Sequence, residues 1–382
     1  NIAATAGLTG SLALGGDWQL EVIRGELEVD VPFTQETQQQ WDYVLAKDDN
    51  EFTYSDTVLN TENVLSDNGN GADSDPDTSN SLTVTEVNGS SSDIGSQITL
   101  TSGALLTLNS DGAYSYNPNS QFESLGAGET TTDSFTYTVS DGQGRTDTAT
   151  VTITIKGQNN PPDALDDNES TNADVILTGE DVLSDKGNGA DSDVDTSDAL
   201  TVIQVNGEAT DVGNEITLAS GALLTLNSNG SYNYNPNGQF ESLGAGETTT
   251  DSFTYTISDG NGGTDTATVT IIINGQNNPP DAKDDNESAN ADAVLDTENV
   301  LSDNGNGADS DVDTSDTLTV TQVNGEATDV GNEITLASGA LLTLSNDGTY
   351  SYNPNGQFES LGVGQTTTDS FTYTISDGNG GT

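Results

Sequence analysis

Apolar residues in this chain come in short runs that alternate with polar ones. From Asp251 to Ser258, Phe253, Tyr255 and Ile257 fall on one face. Beyond the turn Asp259-Gly-Asn-Gly-Gly263, the run Thr264–Ile273 puts Ala267, Val269, Ile271 and Ile273 on one face. A period of two predicts half-buried β-strands. Leu200–Val205 alternates in the same way, and Glu215–Leu218 is a shorter run. Leu223–Leu226 leads through Asn227-Ser-Asn-Gly230 into Ser231–Tyr234, which predicts a hairpin. Phe240–Leu243 reads as a helical turn between strands. Together these runs predict a seven-stranded antiparallel sandwich.

The pattern repeats. Val-Leu-Ser-Asp begins at Val64, Val182 and Val300, and Ser-Asp-Gly at Ser140, Ser258 and Ser376, each time 118 positions apart. Such a period exceeds that of a solenoid repeat and suits one sandwich domain. The predicted organisation is residues 47–157, 158–275 and 276–382 as three repeats, with 1–46 as the end of a preceding domain. The third repeat stops at Thr382, before the counterpart of Asp265–Ile273. Two readings stand: the chain is cut there, or a neighbouring chain donates the missing strand.

Residues 1–46 carry another pattern. Asp17–Ile23 and Glu26–Val31 alternate around Arg24-Gly25 and predict a β-hairpin. Thr34–Ala46 is read as a helix, with Thr34 as N-cap, Glu36 in the first turn, and Trp41, Val44 and Leu45 on an apolar face. The fold class is therefore all-β: tandem Ig-like antiparallel β-sandwich domains after a small hairpin-plus-helix segment.

Composition narrows the function. There are 63 acidic and 6 basic residues, for a net charge of -57, with no Cys, His or Met. Nucleic acid and anionic membrane surfaces are excluded as partners, because both need clustered Lys and Arg. Thiol chemistry is absent, and so is the commonest general base. No apolar run reaches the length of a membrane span. Without a Met, the chain reads as an internal piece of a longer protein. High charge with low hydrophobicity would otherwise suggest disorder, but the strand pattern argues for folded domains.

The chemistry sits in the acidic loops. They are Asp73, Asp75 and Asp77; Asp191, Asp193 and Asp195; and Asp309, Asp311 and Asp313. Each follows a glycine-rich run and an earlier aspartate: Asp67, Asp185 and Asp303. Carboxylates at alternate positions can converge on a hard cation, and calcium tolerates such irregular oxygen cages better than magnesium does. The alternative is a solvated acidic loop. Gly69-Asn-Gly-Ala-Asp73 also suggests a calcium nonapeptide, but one copy per repeat argues against a β-helix.

The run Asn229-Gly-Ser-Tyr-Asn-Tyr-Asn-Pro-Asn237, then Phe240, Leu243 and Gly246-Glu247, then Asp251-Ser-Phe-Thr-Tyr-Thr-Ile-Ser-Asp-Gly260 and Gly275-Gln-Asn-Asn-Pro-Pro280, resembles the VCBS repeat, a cadherin-like bacterial domain. The resemblance covers 47–382. It implies β-sandwiches in a large secreted surface adhesin, exported by a type I system. Residues 1–46 are similar to the end of a domain of unknown function that precedes such repeats. The resemblance also implies calcium at the junctions, held by Asn160, Asp163 and Asp166 and by their copies Asn278, Asp281 and Asp284. The competing reading of these linkers is a stiff hinge set by the paired prolines.

Carboxylates repeated in every unit suit structural sites rather than one catalytic cleft. The expected function is a non-catalytic, calcium-stiffened spacer or adhesion module outside the cell. Its expected partners are the neighbouring repeats and a surface or glycan target. Alternatives are a filament of copies joined by strand donation, or repeats that accompany a secreted enzyme.

Overall fold

The computed structural model describes residues 43–76 and 81–382. The predicted hairpin over 17–31, most of the predicted helix over 34–46, and Asp77 lie outside them. The described end of that helix is corrected: residues 43–46 are extended, and Leu45 exchanges two backbone hydrogen bonds with Ser74. Val44 is buried in the first sandwich.

The chain divides into two compact units. The first holds the described residues up to Pro161 with 193–199 and 260–263; the second holds 162–192, 200–259 and 264–382.

In the first unit eight strands form the sandwich: β1 (Asp49–Tyr54), β2 (Leu59–Asn63), β3 (Thr83–Val87), β4 (Gln97–Thr99), β5 (Leu105–Leu108), β6 (Ala113–Asn117), β7 (Thr130–Ser140) and β8 (Thr146–Lys156). One sheet runs β1-β8-β7-β3 and the other β2-β6-β5-β4. The expected seven antiparallel strands are thus eight, and β1 pairs parallel to β8. β1 and β2 escape the periodicity argument because their sequences, DNEFTY and LNTEN, hold few apolar residues. Both are edge strands, held by backbone ladders rather than by an apolar face. Between the sheets, alternating residues of β5 to β8 build the core, with Tyr114 edge-on to Phe135 at 5.4 Å.

The second unit repeats this plan with β9 (Asp167–Asn172), β10 (Leu177–Asp181), β11 (Thr201–Val205), β12 (Glu215–Thr217), β13 (Leu223–Leu226), β14 (Ser231–Asn235), β15 (Thr248–Ser258) and β16 (Thr264–Asn274). Its sheets are β11-β15-β16-β9 and β10-β14-β13-β12. Phe240–Leu243 closes a turn through Leu243 N–H to Phe240 O, not a helix.

The third repeat, in the same unit, contains β17 (Leu295–Asn299), β18 (Thr319–Val323), β19 (Glu333–Thr335), β20 (Leu341–Leu344), β21 (Thr349–Asn353) and β22 (Tyr373–Ser376). β22 has 4 residues where β15 has 11. Residues 285–290, the counterparts of β9, form no strand. Both β9 and β15 pair with β16, and the 382 residues contain no third counterpart of β16.

β2, β10 and β17 each carry a bulge against their partner strands. Its left-handed residue is Thr61 (φ 82), Gly179 (φ 74) or Thr297 (φ 70). Glycine adopts this backbone freely, whereas a β-branched residue is strained by about 1–2 kcal/mol. Thr61→Gly is expected to raise unfolding stability by about 1 kcal/mol and Gly179→Thr to lower it as much, read by denaturant titration. Equal stability of both variants with the parent would remove strain from this account.

Candidate metal centre

The second unit contains a complete linker between two repeats. After β16, Gly275 lies flat on the turn at Leu243 and Gly244, where a Cβ would strike both carbonyl oxygens. Gly275 N–H donates to Glu247 O at 2.9 Å and Gln276 N–H to Leu243 O at 3.1 Å. Asn278 then donates from its backbone N–H to Asp313 Oδ2 (2.7 Å) and from Nδ2 to Asp313 Oδ1 (3.1 Å). Its Nδ2 also reaches Glu241 O at 3.1 Å. Thr314 N–H donates to Ser242 O at 3.3 Å. Asp313, 1% exposed, therefore clamps the linker to the acidic loop. In the first unit, Asp195 receives Asn160 N–H at 2.8 Å and Nδ2 at 3.1 Å in the same way.

Beside this clamp, oxygens of Asp311, Asp316 and Asp377 lie within 4.8 Å of one another. Asp311 and Asp316 each leave Oδ2 buried with no donor. Asn277 donates Nδ2 to Asp377 Oδ2 at 2.8 Å and leaves its own Oδ1 buried without a donor. Burial alone would raise the Asp377 carboxyl, but Asn277 and the N–H groups of Asn379, Gly381 and Gly380 outweigh it and hold it below the usual carboxylate range. Three converging anions plus orphaned oxygen acceptors are a donor set for a hard cation, and they leave no role for a soft metal. Asp311, Asp316 and Asp377 could hold a metal ion, and their all-oxygen donor set fits a hard cation such as calcium.

Of the residues singled out in the sequence, Asp311 joins this cluster. Asp313 instead holds Asn278. Asp303 accepts Gly305 N–H and Gly307 N–H, both at 3.0 Å, which keeps its carboxyl low and shapes the glycine loop; Asp185 and Asp67 accept the corresponding glycine N–H groups in the other repeats. Asp309 turns inward and receives Lys283 N–H at 2.6 Å and the Tyr373 hydroxyl at 3.1 Å. Asp191 sits likewise on Leu165 N–H and Tyr255, and Asp73 on Lys47 N–H and Tyr137.

The linker aspartates spread out. Asp281 and Asp163 pair through their backbones with Ser310 and Ser192, and Asp281 also forms an ion pair with Lys283. Asp166 accepts Thr268 N–H of β16 at 2.8 Å, just before the β9 ladder begins, and Asp284 accepts Asn306 Nδ2 on its carbonyl at 2.7 Å. Asp75 in the first unit has Oδ2 buried.

Sequence reasoning missed Asp316 and Asp377. Asp377 lies in the repeated Ser-Asp-Gly, which served only as a marker of the period. The corresponding positions are Asp193, Asp198 and Asp259 in the second repeat, and Asp75, Asn80 and Asp141 in the first.

The family profile of the bacterial cadherin-like domain matches residues 41–157, 159–275 and 277–382. A domain of unknown function, DUF4347, matches 1–45. A comparison with curated proteins finds no match. Among solved structures, human CDH23 EC21-23 is 11% identical over 87% of this chain and 98% of that one, with a TM-score of 0.45. Mouse cadherin-23 EC22-24 is 13% identical over 81% and 85%, with a TM-score of 0.41. Protocadherin gamma B7 extracellular cadherin domains 1-4 are 14% identical over 81% and 67%, with a TM-score of 0.41. With three tandem matches between residues 41 and 382, the chain belongs to the family of bacterial cadherin-like domains.

Proposed function

We propose that the chain is a non-catalytic spacer or adhesion module of a secreted bacterial surface protein, stiffened by calcium between repeats. The three repeats, set 118 residues apart, act as separate domains, and residues 1–46 close a preceding one. The observation that carries this reading is the cluster of Asp311, Asp316 and Asp377 beside the clamped linker, with acceptor oxygens that no donor satisfies. Like charges this close repel unless a cation joins them. A bound cation ties the acidic loop to Asp377 next to the Asn277–Asn278 linker, so binding and interdomain stiffness are coupled. Among the described residues no helix is long and apolar enough to cross a membrane.

The test is thermal unfolding in chelator and in millimolar calcium at matched ionic strength. A ligand at about 100 times its dissociation constant stabilises the fold by roughly 2.7 kcal/mol per site. We expect a calcium-specific rise of that order in the unfolding of the third repeat, reduced by Asp311→Asn with Asp316→Asn. The same rise with sodium chloride would replace this reading with one of simple charge screening.

A further inference from the structure

The second repeat contains an ion pair that the other repeats lack, and it marks a cation seat. The inward face of β9 is polar: Asp167, Glu169 and Thr171 point in, while Asn168, Ser170 and Asn172 are exposed. β10 lies at the edge of the opposite sheet, and its bulge brings Glu180 round to face β9. Lys186 Nζ sits between them, 2.8 Å from Glu169 Oε1 and hydrogen-bonded to Glu180 Oε2. One ammonium thus joins the two edge strands of the sandwich.

The first repeat has the same wall without the ammonium. β1 turns Asp49, Glu51 and Thr53 inward, and Glu62 comes from the bulge of β2. Asn68 replaces Lys186. Its backbone is held identically: Asn50 N–H donates to Asn68 O at 3.0 Å, as Asn168 N–H donates to Lys186 O at 3.2 Å. The Asn68 amide donates to Asn63 O at 3.0 Å and brings no charge. Lys47 does not substitute, because its Nζ lies over Gly71.

What remains is an uncompensated pocket of acid. Asp49 is 1% exposed and its Oδ2 has no partner; the Tyr114 hydroxyl, in a side chain 3% exposed, has none either. Burial and then the charges of Glu51, Glu62 and Asp49 drive the Tyr114 hydroxyl upward. The Glu51 carboxyl is raised by burial and then by Glu62.

We propose that the first repeat binds a divalent hard cation, of the calcium class, between Glu51 and Glu62, where Lys186 Nζ sits in the second repeat. All of the available donors are oxygens, which suits such an ion. Glu51 and Glu62 stand where Glu169 and Glu180 grip the ammonium in the second repeat, so a monovalent ion would leave more of their charge uncompensated than a divalent one. In the third repeat Glu287, Glu298 and Asn304 recur, but residue 287 stands on no strand and is exposed, so the seat is preformed in the first repeat. This site shares no residue with the cluster of Asp311, Asp316 and Asp377, and it stands or falls separately from the proposed function.

The test counts calcium ions bound per full chain by equilibrium dialysis at matched ionic strength, using calcium alone as the probe. Asn68→Lys fills the seat and is expected to lower the count by one while raising the unfolding midpoint in chelator. Lys186→Asn empties the corresponding seat and is expected to raise the count by one. Counts unchanged in both variants would overturn the proposal, even if Asn68→Lys stabilised the fold, because that gain would then be charge relief without an ion. Asp311→Asn with Asp316→Asn should leave the effect of both swaps intact, which separates this site from the loop site.

Discussion

Asp313→Ala is expected to lower the stability of the second and third repeats by about 3 kcal/mol, even in chelator. Its carboxylate is almost fully buried and accepts both the backbone N–H and the side-chain amide of Asn278. Hydrogen bonds to a charged group contribute about 1.5–3 kcal/mol each, and removing the acceptor strands the buried donors as well. Asp313→Asn should not rescue the loss, because its amide would present a donor where Asn278 already supplies two. Exposed Asp281 is the control: Asp281→Ala removes a surface ion pair with Lys283 and should shift stability by under about 1 kcal/mol. Chemical denaturation of the full chain measures both. Equal losses for Asp313→Ala and Asp281→Ala would show that the clamp does not hold the linker.

The second large effect is on pH. Burial, followed by the charges of Asp191 and Glu169, pushes the Asp167 carboxyl up to about 7, against 3.8 in the unfolded chain; Lys186 offsets only part of this. Between those two values the folded chain binds a proton that the unfolded chain does not. The contribution is complete below about pH 4 and is lost as pH rises through about 7. Its size is on the order of 4 kcal/mol. In chelator, the unfolding midpoint should therefore fall from pH 5 to pH 8. Asp167→Asn stays neutral throughout and should flatten that fall, with its gain at pH 8 and little change at pH 5. A parent and a variant with parallel profiles would rule out Asp167 as the titrating group. Asp49, also pushed up to about 7 by burial first, acts in the same direction in the first repeat.

How far the sequence could be read depended on where each strand gets its stability. β15 and β16 were legible because each alternates an apolar residue with a polar one over 11 positions. Burial of Phe253, Tyr255, Val269 and Ile271 enforces that alternation, so it is written into the sequence. β1 and β9 were not legible. They pair in parallel with a strand about a hundred residues later, and their inward side chains are Asp, Glu and Thr. A ladder of backbone hydrogen bonds needs no particular side chain, so it leaves no periodic trace.

The candidate site divides in the same way. Local spacing drew attention to the Asp-x-Asp-x-Asp loops, yet alternate residues of a loop point in different directions. Asp309 meets Tyr373, Asp311 faces the cluster, and Asp313 grips Asn278. The two partners of Asp311 arrive from elsewhere: Asp316 from farther along the loop and Asp377 from the turn after β22. The sequence by itself determined the repeat, the all-β class and the acidic chemistry, because these are carried by periodicity and composition along the chain. Only the tertiary structure decided which carboxylates share a site, which clamp a linker and which sink beside a tyrosine. Those roles depend on distances across the sandwich, between residues that the chain order keeps apart.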